Sequence, residues 1–456
     1  MAYQSTNPYD GNVVQSFDEI SDAQLQEQLQ AADQCFSTDW RHRSFAERTA
    51  ILKKAAALMR ERQQSLAELI TLEMGKLIAQ SVGEVKLSAA ILDYYADHAE
   101  AFLAPEQLST PKGQATVESS PIGVLFGVEP WNYPYYQIAR FAAPNLMAGN
   151  VVMVKHASNV PQCALAFEQL MRDAGAPAGA YTNLFISKDQ VAKVIEDPRI
   201  RAVALTGSEA AGAVVAAQAG KQLKKSTMEL GGSDAFIVLE DADLDKAIQH
   251  AVSGRMGNTG QACTASKRFI VVAPMAERFL AQFKTALQAF EPGNPMDPKT
   301  TLGPLSSADA LKKLLGQVDE AVAHGATVVL GGQRIDGQAG AFMQPTILSD
   351  IDANNPAYHE EFFGPVALFF PVADEAAAIR LANDSPFGLG GTVFTQDIER
   401  GKRVARQIDT GMVFINSGAV SSPELPFGGV KNSGYGRELS GAGIQEFVNK
   451  KLIRVN

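Results

Sequence analysis

The chain has 456 residues, 40 lysines and arginines against 50 aspartates and glutamates, and a formal net charge of −10, with 46% hydrophobic residues. That length supports two or three domains around a large core, and the acidic balance argues against a nucleic-acid phosphate backbone as the main partner. No apolar run approaches the roughly 20 residues of a membrane-spanning helix. The amino-terminal residues Met1-Ala2-Tyr3-Gln4-Ser5-Thr6-Asn7 lack the basic and apolar blocks of a signal peptide. Three cysteines, Cys35, Cys163 and Cys263, are too sparse for a disulfide framework and fit a reducing compartment. A cytoplasmic protein is expected, with no membrane and no nucleic-acid partner.

In chain order, Ser21 before Asp22-Ala23-Gln24-Leu25 reads as the cap of a helix running towards Phe36. Apolar spacing from about Ala46 to Met74 (Ile51, Ala55, Leu58, then Leu66, Leu69, Ile70) predicts helix, and another is expected from Ile78 to about Leu103. The acids and bases of these amphipathic layers read as solvated faces. Leu108 to Ser120 is polar and turns at Thr110-Pro111-Lys112-Gly113, a hairpin with little to bury on itself and therefore an arm expected to reach a neighbouring subunit. From Gly149 the pattern alternates: strand Val151–Lys155, helix Pro161–Ala174, strand Thr182–Ile186, helix Val191–Glu196, strand Arg201–Thr206, helix Ser208–Gln218. This is the signature of a parallel sheet with crossover helices, hence an α/β fold. A second block follows: strand Arg268–Val272, helices Ala276–Phe290 and Ala308–His324, and strand Thr327–Leu330.

Two loops carry chemistry. Gly254-Arg255-Met256-Gly257-Asn258-Thr259-Gly260-Gln261-Ala262-Cys263 presents one cysteine among small and amide residues, and Met228-Glu229-Leu230-Gly231-Gly232-Ser233 sets one carboxylate before a glycine pair. A reachable thiolate and a carboxylate base on separate loops predict covalent catalysis. Gly-x-Gly-x-x-Gly after a strand is absent. In its place Gly207-Ser208-Glu209-Ala210-Ala211-Gly212 feeds a helix N-terminus, whose free N–H groups and dipole suit a pyrophosphate. Lys155 stands at the carboxyl end of another strand, where ligands of open α/β sheets sit. Read without a ligand, Ser208 is a helix cap and Gly212 a close-packing residue.

Together these elements resemble the aldehyde dehydrogenase superfamily. The matching segments are Pro130-Trp131-Asn132-Tyr133-Pro134, Gly149-Asn150-Val151-Val152, Thr206-Gly207-Ser208, Glu229-Leu230-Gly231-Gly232, Gly260-Gln261-Ala262-Cys263, Glu360-Glu361-Phe362-Phe363-Gly364-Pro365-Val366, and Pro426-Phe427-Gly428-Gly429-Val430-Lys431 with Ser433-Gly434. They cover nearly the whole chain in order. Across Arg140-Phe141-Ala142-Ala143-Pro144 and Lys155-His156-Ala157-Ser158-Asn159-Val160-Pro161 the chain is most similar to bacterial succinate-semialdehyde dehydrogenases.

The resemblance implies a Rossmann-type cofactor domain (1–102, 121–231 and 426–443), an α/β catalytic domain (232–425), and a small β oligomerisation element (103–120 and 444–456). It also implies a homo-oligomer, dimer or tetramer. It assigns Cys263 as nucleophile, Glu229 as general base, and Asn132 with the Cys263 N–H as oxyanion hole. Trp131, Lys155, Ser158, Gly207, Ser208, Gly212, Leu230, Glu361 and Phe363 fall at cofactor-binding positions, and Glu438 at that of a proton relay; pairing with Arg437 is its alternative. Cys35 and Cys163 are expected to be buried fillers, and no metal is needed.

Two departures stand out. Phe141 replaces the lysine of many members, and Thr264-Ala265 leave Cys263 without the second cysteine of some semialdehyde enzymes. Arg140, eight residues after Asn132, is expected to pair with a substrate carboxylate, or else to lie on a helix surface in a subunit interface. A second tunnel arginine of some members is Gly257 here. Ser158 stands where NAD-preferring members often have a glutamate, so NADP is expected to be preferred over NAD. The expected reaction is oxidation of succinate semialdehyde to succinate. Glutarate semialdehyde, an uncharged aliphatic aldehyde, or esterase chemistry at the same cysteine are the alternatives.

Overall fold

A computed structural model describes residues 3–456. Two apolar cores organise them. The first collects residues from Leu25 to Met228 and takes back Phe427, Leu439, Ile444 and Phe447; the second is drawn from Ala235 to Ile408. Each surrounds a sheet. The first sheet runs, in spatial order, Gly434–Tyr435, Lys225–Glu229, Ile200–Thr206, Val124–Glu129, Val151–His156 and Tyr181–Asn183. Its strands are parallel apart from the Gly434–Tyr435 edge.

The second sheet runs Thr327–Leu330, Thr346–Ser349, Val366–Val372, Ser266–Val272, Asp234–Val238, Gly391–Phe394 and Phe414–Ile415, with only Thr327–Leu330 antiparallel. Val151–His156, Ser266–Val272 and Asp234–Val238 are almost wholly buried, as strands covered on both faces must be. Among the described residues no helix is long and apolar enough to cross a membrane.

Local chemistry starts the helices. Ser21 with Gln24, Ser44 with Glu47, and Ser187 with Gln190 form reciprocal capping boxes at Asp22–Thr38, Phe45–Glu61 and Lys188–Glu196. The last of these explains why that helix begins three residues before the expected Val191. The helix Ala273–Gln288 also starts early, with a proline in its first turn, where no N–H is required. The expected strand Thr182–Ile186 ends at Asn183. Beyond it the chain turns to the amino-terminal hairpin (Tyr3–Thr6 with Val13–Phe17), where the Tyr3 hydroxyl donates to Ile186 O at 2.9 Å and accepts from Ile186 N at 3.1 Å. That hairpin carries no strong sequence pattern.

The polar arm forms as Glu106–Leu108 and Gln114–Pro121, and the C-terminal strand Val448–Val455 adds to it antiparallel. Leu452 and Val455 on this small sheet are exposed. One expectation fails in the helical layers. Glu73, Lys76 and Glu84 are buried, not solvated. Glu73 accepts from Gln162 N and Cys163 N and so caps Pro161–Ala174 from a neighbouring helix, while Lys76 and Glu84 form a buried ion pair beside the site.

Candidate active site

The parallel strands of the first sheet end together at Glu129, His156, Thr206 and Glu229, and the loops that follow carry Trp131 and Asn132, Ser158, Gly207 and Ser208, and Leu230. His156 is buried and neutral. Its Nδ1 lies 3.0 Å from Ala157 N and 3.1 Å from Glu129 O, and its Nε2 3.0 Å from Pro134 O. Burial pushes its pKa down to about 4, so this tie between the Lys155 strand and the Asn132 loop persists at neutral pH.

The cysteine loop is a left-handed turn. Asn258, Thr259 and Gly260 have φ of +52°, +54° and +75°, a region costly for a β-branched residue and sustained only by surrounding structure. Asn258 Nδ2 donates to Asn132 O (3.0 Å) and Gln261 O (3.1 Å), Thr259 Oγ1 donates to Gly303 O (3.3 Å), and the buried Arg255 donates to Gly260 O (2.6 Å) and Val366 O (3.2 Å). A side chain at Gly260 would reach within 2.2 Å of Gly364 O. The small residues before Cys263 therefore shape a strained turn.

Asn132 is fixed at both ends. Its side-chain Nδ2 donates to Gln261 O at 3.1 Å, and Gln137 Nε2 meets its Oδ1 at 3.5 Å, which assigns the amide orientation and leaves one N–H for an incoming oxygen. Its backbone carbonyl accepts from Lys76 Nζ at 2.8 Å. Lys76 is also paired with Glu84 and lies 3.6 Å from the Tyr133 ring centre, and Glu84 in turn accepts from Tyr135 N at 2.9 Å. This buried support lay outside the expected site, because charges on an amphipathic helix ordinarily face water.

The Glu229 loop meets the cysteine loop through its glycines. A Cβ at Gly232 would lie 2.7 Å from Cys263 O, and one at Gly231 would lie 2.6 Å from Glu361 Oε2. No other residue allows both approaches. The Glu229 carboxyl is buried and neither oxygen accepts a hydrogen bond within the protein, a condition that calls for a functional reason. Burial, and then the neighbouring Glu438 carboxyl, push its pKa well up, against the opposing charge of Arg140. Glu129 is raised in the same way. At Glu229 the Arg437 charge opposes the shift together with Arg140.

Arg140 requires a correction. Its side chain is fully buried and ion-paired with Glu438, stacked on Phe427 (4.3 Å) and donating to Tyr136 OH and Thr206 Oγ1, each at 3.3 Å. The guanidinium expected to meet a substrate carboxylate is thus committed to an internal one. Glu438 pairs with Arg140 rather than Arg437, whose guanidinium donates to Gly429 O and Gly436 O. Phe141 packs under Gly127, whose Cβ would lie 2.6 Å from the ring.

The half-buried Cys263 thiol is pushed up to about 11 by burial, with Arg140 and Lys267 opposing. Cys35 and Cys163 are buried free thiols. Lys267, another residue with no sequence signal, donates to Ala262 O (2.9 Å) and Cys263 O (2.6 Å) and pairs with Glu361 Oε1 at 3.0 Å.

A cleft of about 650 Å³ opens beside these loops and is lined by Trp131, Asn132, Gly207, Ser208, Glu361 and Phe363 among others. Trp131 and Phe363 meet edge-to-face, with ring centres 5.8 Å apart. Ser208 Oγ accepts from Ala211 N, so Ser208 caps the helix Glu209–Lys221 whose N-terminus faces the cleft. Gly212 does not line this cleft; it is buried against Leu230, whose Cδ2 lies 2.6 Å from where its Cβ would stand. The structure thus supports its close-packing reading.

A separate cavity of about 230 Å³ is lined by Lys155, Ser158, Ser187 and the previously unmarked Lys188, with Glu19 and Asp189 also on its wall. Burial lowers Lys155 to about 8, Glu19 opposing and Lys188 adding to the shift. A cleft at a helix N-terminus, bounded by an aromatic pair and an anchored carboxylate, fits a dinucleotide.

Comparisons with known proteins agree with this geometry. The model of the aldehyde dehydrogenase family matches residues 1–453. The succinate-semialdehyde dehydrogenase [NADP(+)] of Deinococcus radiodurans is 52% identical over 452 residues, spanning 99% of this chain and 94% of that protein. Succinate-semialdehyde dehydrogenase [NADP(+)] 1 of Mycobacterium ulcerans is 44% identical, with both chains fully covered. Among solved structures, succinic semialdehyde dehydrogenase from Streptococcus pyogenes in complex with NADP+ superposes with a TM-score of 0.98 at 49% identity, with both chains fully covered.

Proposed function

The chain belongs to the aldehyde dehydrogenase family, and from that premise we propose that it oxidises succinate semialdehyde to succinate with NADP+ in preference to NAD+. The observation that carries this reading is the convergence on Cys263. The Glu229 loop touches its carbonyl through Gly232, and the Asn132 amide is held by the carbonyl of Gln261, two residues before it.

The Cys263 thiolate adds to the aldehyde carbon, and the oxygen takes the charge as a thiohemiacetal oxyanion. The second Asn132 N–H and the Cys263 N–H meet that oxygen; each such donor is worth about 10²–10³ in rate. When bound, the dinucleotide supplies the two-electron acceptor that turns the thiohemiacetal into a thioester. Glu229 then takes a proton from water as the water attacks the thioester carbon, and the thiolate leaves; general-base help of this kind is worth about 10²–10⁴. Glu438, coupled to Glu229 by charge, receives the proton onward.

Trp131, Gly207, Ser208, Leu230, Glu361 and Phe363 hold the dinucleotide, and Lys155, Ser158 and Lys188 hold its 2′-phosphate. A glutamate in place of Ser158 would oppose that phosphate by about 1–4 kcal/mol. Because Arg140 is committed to Glu438, the distal carboxylate is assigned to the Ser421 hydroxyl, which accepts from Tyr136 OH at 3.1 Å, with Arg140 donating to Tyr136 from behind. The small sheet with exposed Leu452 and Val455 is assigned to self-association, and the free cysteines fit a reducing, cytoplasmic site of action.

An assay of succinate semialdehyde, glutarate semialdehyde and an uncharged aliphatic aldehyde with NADP+ and NAD+, read at the reduced-nicotinamide absorbance, tests the reading. The highest kcat/KM falls to succinate semialdehyde with NADP+. Absence of turnover with every pair, or hydrolysis of a simple ester as the sole activity, overturns it.

A further inference from the structure

Lys267 is buried within the second sheet's strand Ser266–Val272, four residues after Cys263. An ammonium has three N–H donors, and here three acceptors take them: Ala262 O at 2.9 Å, Cys263 O at 2.6 Å and Glu361 Oε1 at 3.0 Å. The first two belong to the peptide units on either side of the nucleophile. The third is the carboxylate that reaches the cleft, and its Oε1 also accepts from Gly232 N at 3.0 Å, on the Glu229 loop. Oε1 is thus fully engaged inside the protein, and Oε2, lying over Gly231, is the oxygen left for a ligand.

We propose that Lys267 is a positioning residue that couples occupancy of Glu361 to the reactivity of Cys263. This rests on the reading of Glu361 as the acid that holds the cofactor's nicotinamide-side ribose. Hydroxyls donating to Oε2 draw the carboxylate's charge towards the ligand, and the ammonium's charge is then less neutralised beside the thiol. Lys267 favours the Cys263 thiolate and Glu361 opposes it. Loading Glu361 therefore raises the thiolate fraction. By linkage, the thiolate and thiol forms of the enzyme bind the ligand with affinities that differ by the factor by which the ligand shifts the thiol's proton affinity.

The test uses 2′-phospho-ADP-ribose, which carries the ribose hydroxyls without the nicotinamide cation, and measures the rate of Cys263 alkylation by iodoacetamide with and without it. In the wild type a saturating probe raises the rate several-fold. In Lys267→Gln, which keeps an amide donor but no charge, and in Glu361→Gln, the ratio falls to about one. Lys267→Arg restores part of it. A merely structural role would lower melting temperature and both rates together and leave the ratio at its wild-type value. That outcome, or a wild-type ratio of one with the probe bound, overturns the proposal. Failure of the probe to bind the wild type would instead count against the cofactor reading of the cleft.

Discussion

The surroundings of Cys263 and the separate cavity at Ser158 both carry charged side chains, but they use them in opposite ways. Around Cys263, Asn132 and Glu229 most charges are paired with one another: Lys76 with Glu84 and Arg140 with Glu438 as buried pairs, and buried Lys267 with the cleft-facing Glu361. Around Ser158 they are half-buried or exposed, with Lys155 and Lys188 facing an open cavity. Buried pairs hold atoms to fractions of an ångström, and losing one partner leaves an unpaired charge in a low-dielectric interior. Exposed cations hold little in place, yet they meet a mobile anion at small cost to the fold. One region is built for geometry and the other for selection.

The most severe break lies at the nucleophile. Cys263→Ala abolishes aldehyde oxidation while NADP+ binding, followed by titration calorimetry, stays within about threefold; full turnover by this variant contradicts the mechanism. Arg140→Ala comes next. It leaves Glu438 buried without its guanidinium and is expected to cost about 3–5 kcal/mol in urea unfolding, with Arg140→Met/Glu438→Gln recovering most of that loss. If Arg140→Ala instead raises KM for succinate semialdehyde at unchanged stability, the pairing with Glu438 is not what Arg140 is for.

A pH series sharpens the comparison. Only the thiolate is alkylated, and the free-enzyme Cys263 thiol is raised to about 11. Its alkylation rate therefore climbs about tenfold per pH unit from neutrality and levels off only near that value. A plateau reached by pH 8 in the free enzyme contradicts burial as the dominant influence on the thiol. At the open cavity the effect is smaller. Ser158→Glu moves the kcat/KM ratio at least tenfold towards NAD+, about 1.4 kcal/mol, with stability changed by less than about 0.5 kcal/mol, as expected of an exposed position. A large loss of stability would mean that the two regions are not built differently.

The same contrast governs what the sequence makes legible. Alternation of strands and helices, caps such as Ser21 and Ser208, and the two chemistry-bearing loops were readable because periodicity and turn chemistry act locally. Cys263, Glu229 and Asn132 stand in short motifs, so their chemistry shows in neighbouring residues. The groups that position them do not. Lys76, Glu84 and Lys267 are ordinary charges in helix and strand patterns, and only long-range packing reveals that they are buried. Arg140 shows the same effect from the other side: its spacing from Asn132 suggested a substrate contact, but Glu438, almost 300 positions later, takes its guanidinium. Lys188 was missed because its place in the cavity depends on the amino-terminal hairpin meeting Ile186.

The central claim is that Cys263 carries the substrate covalently and that Glu229 releases it. Rapid mixing of Glu229→Gln with succinate semialdehyde and NADP+ tests this most directly, with reduced cofactor followed by absorbance and the protein by intact mass and peptide mapping. The account predicts one equivalent of reduced cofactor per active site, slow turnover thereafter, and a succinyl group on the peptide containing Cys263. Steady turnover at the wild-type rate, or a burst with no acyl group on Cys263, would contradict it.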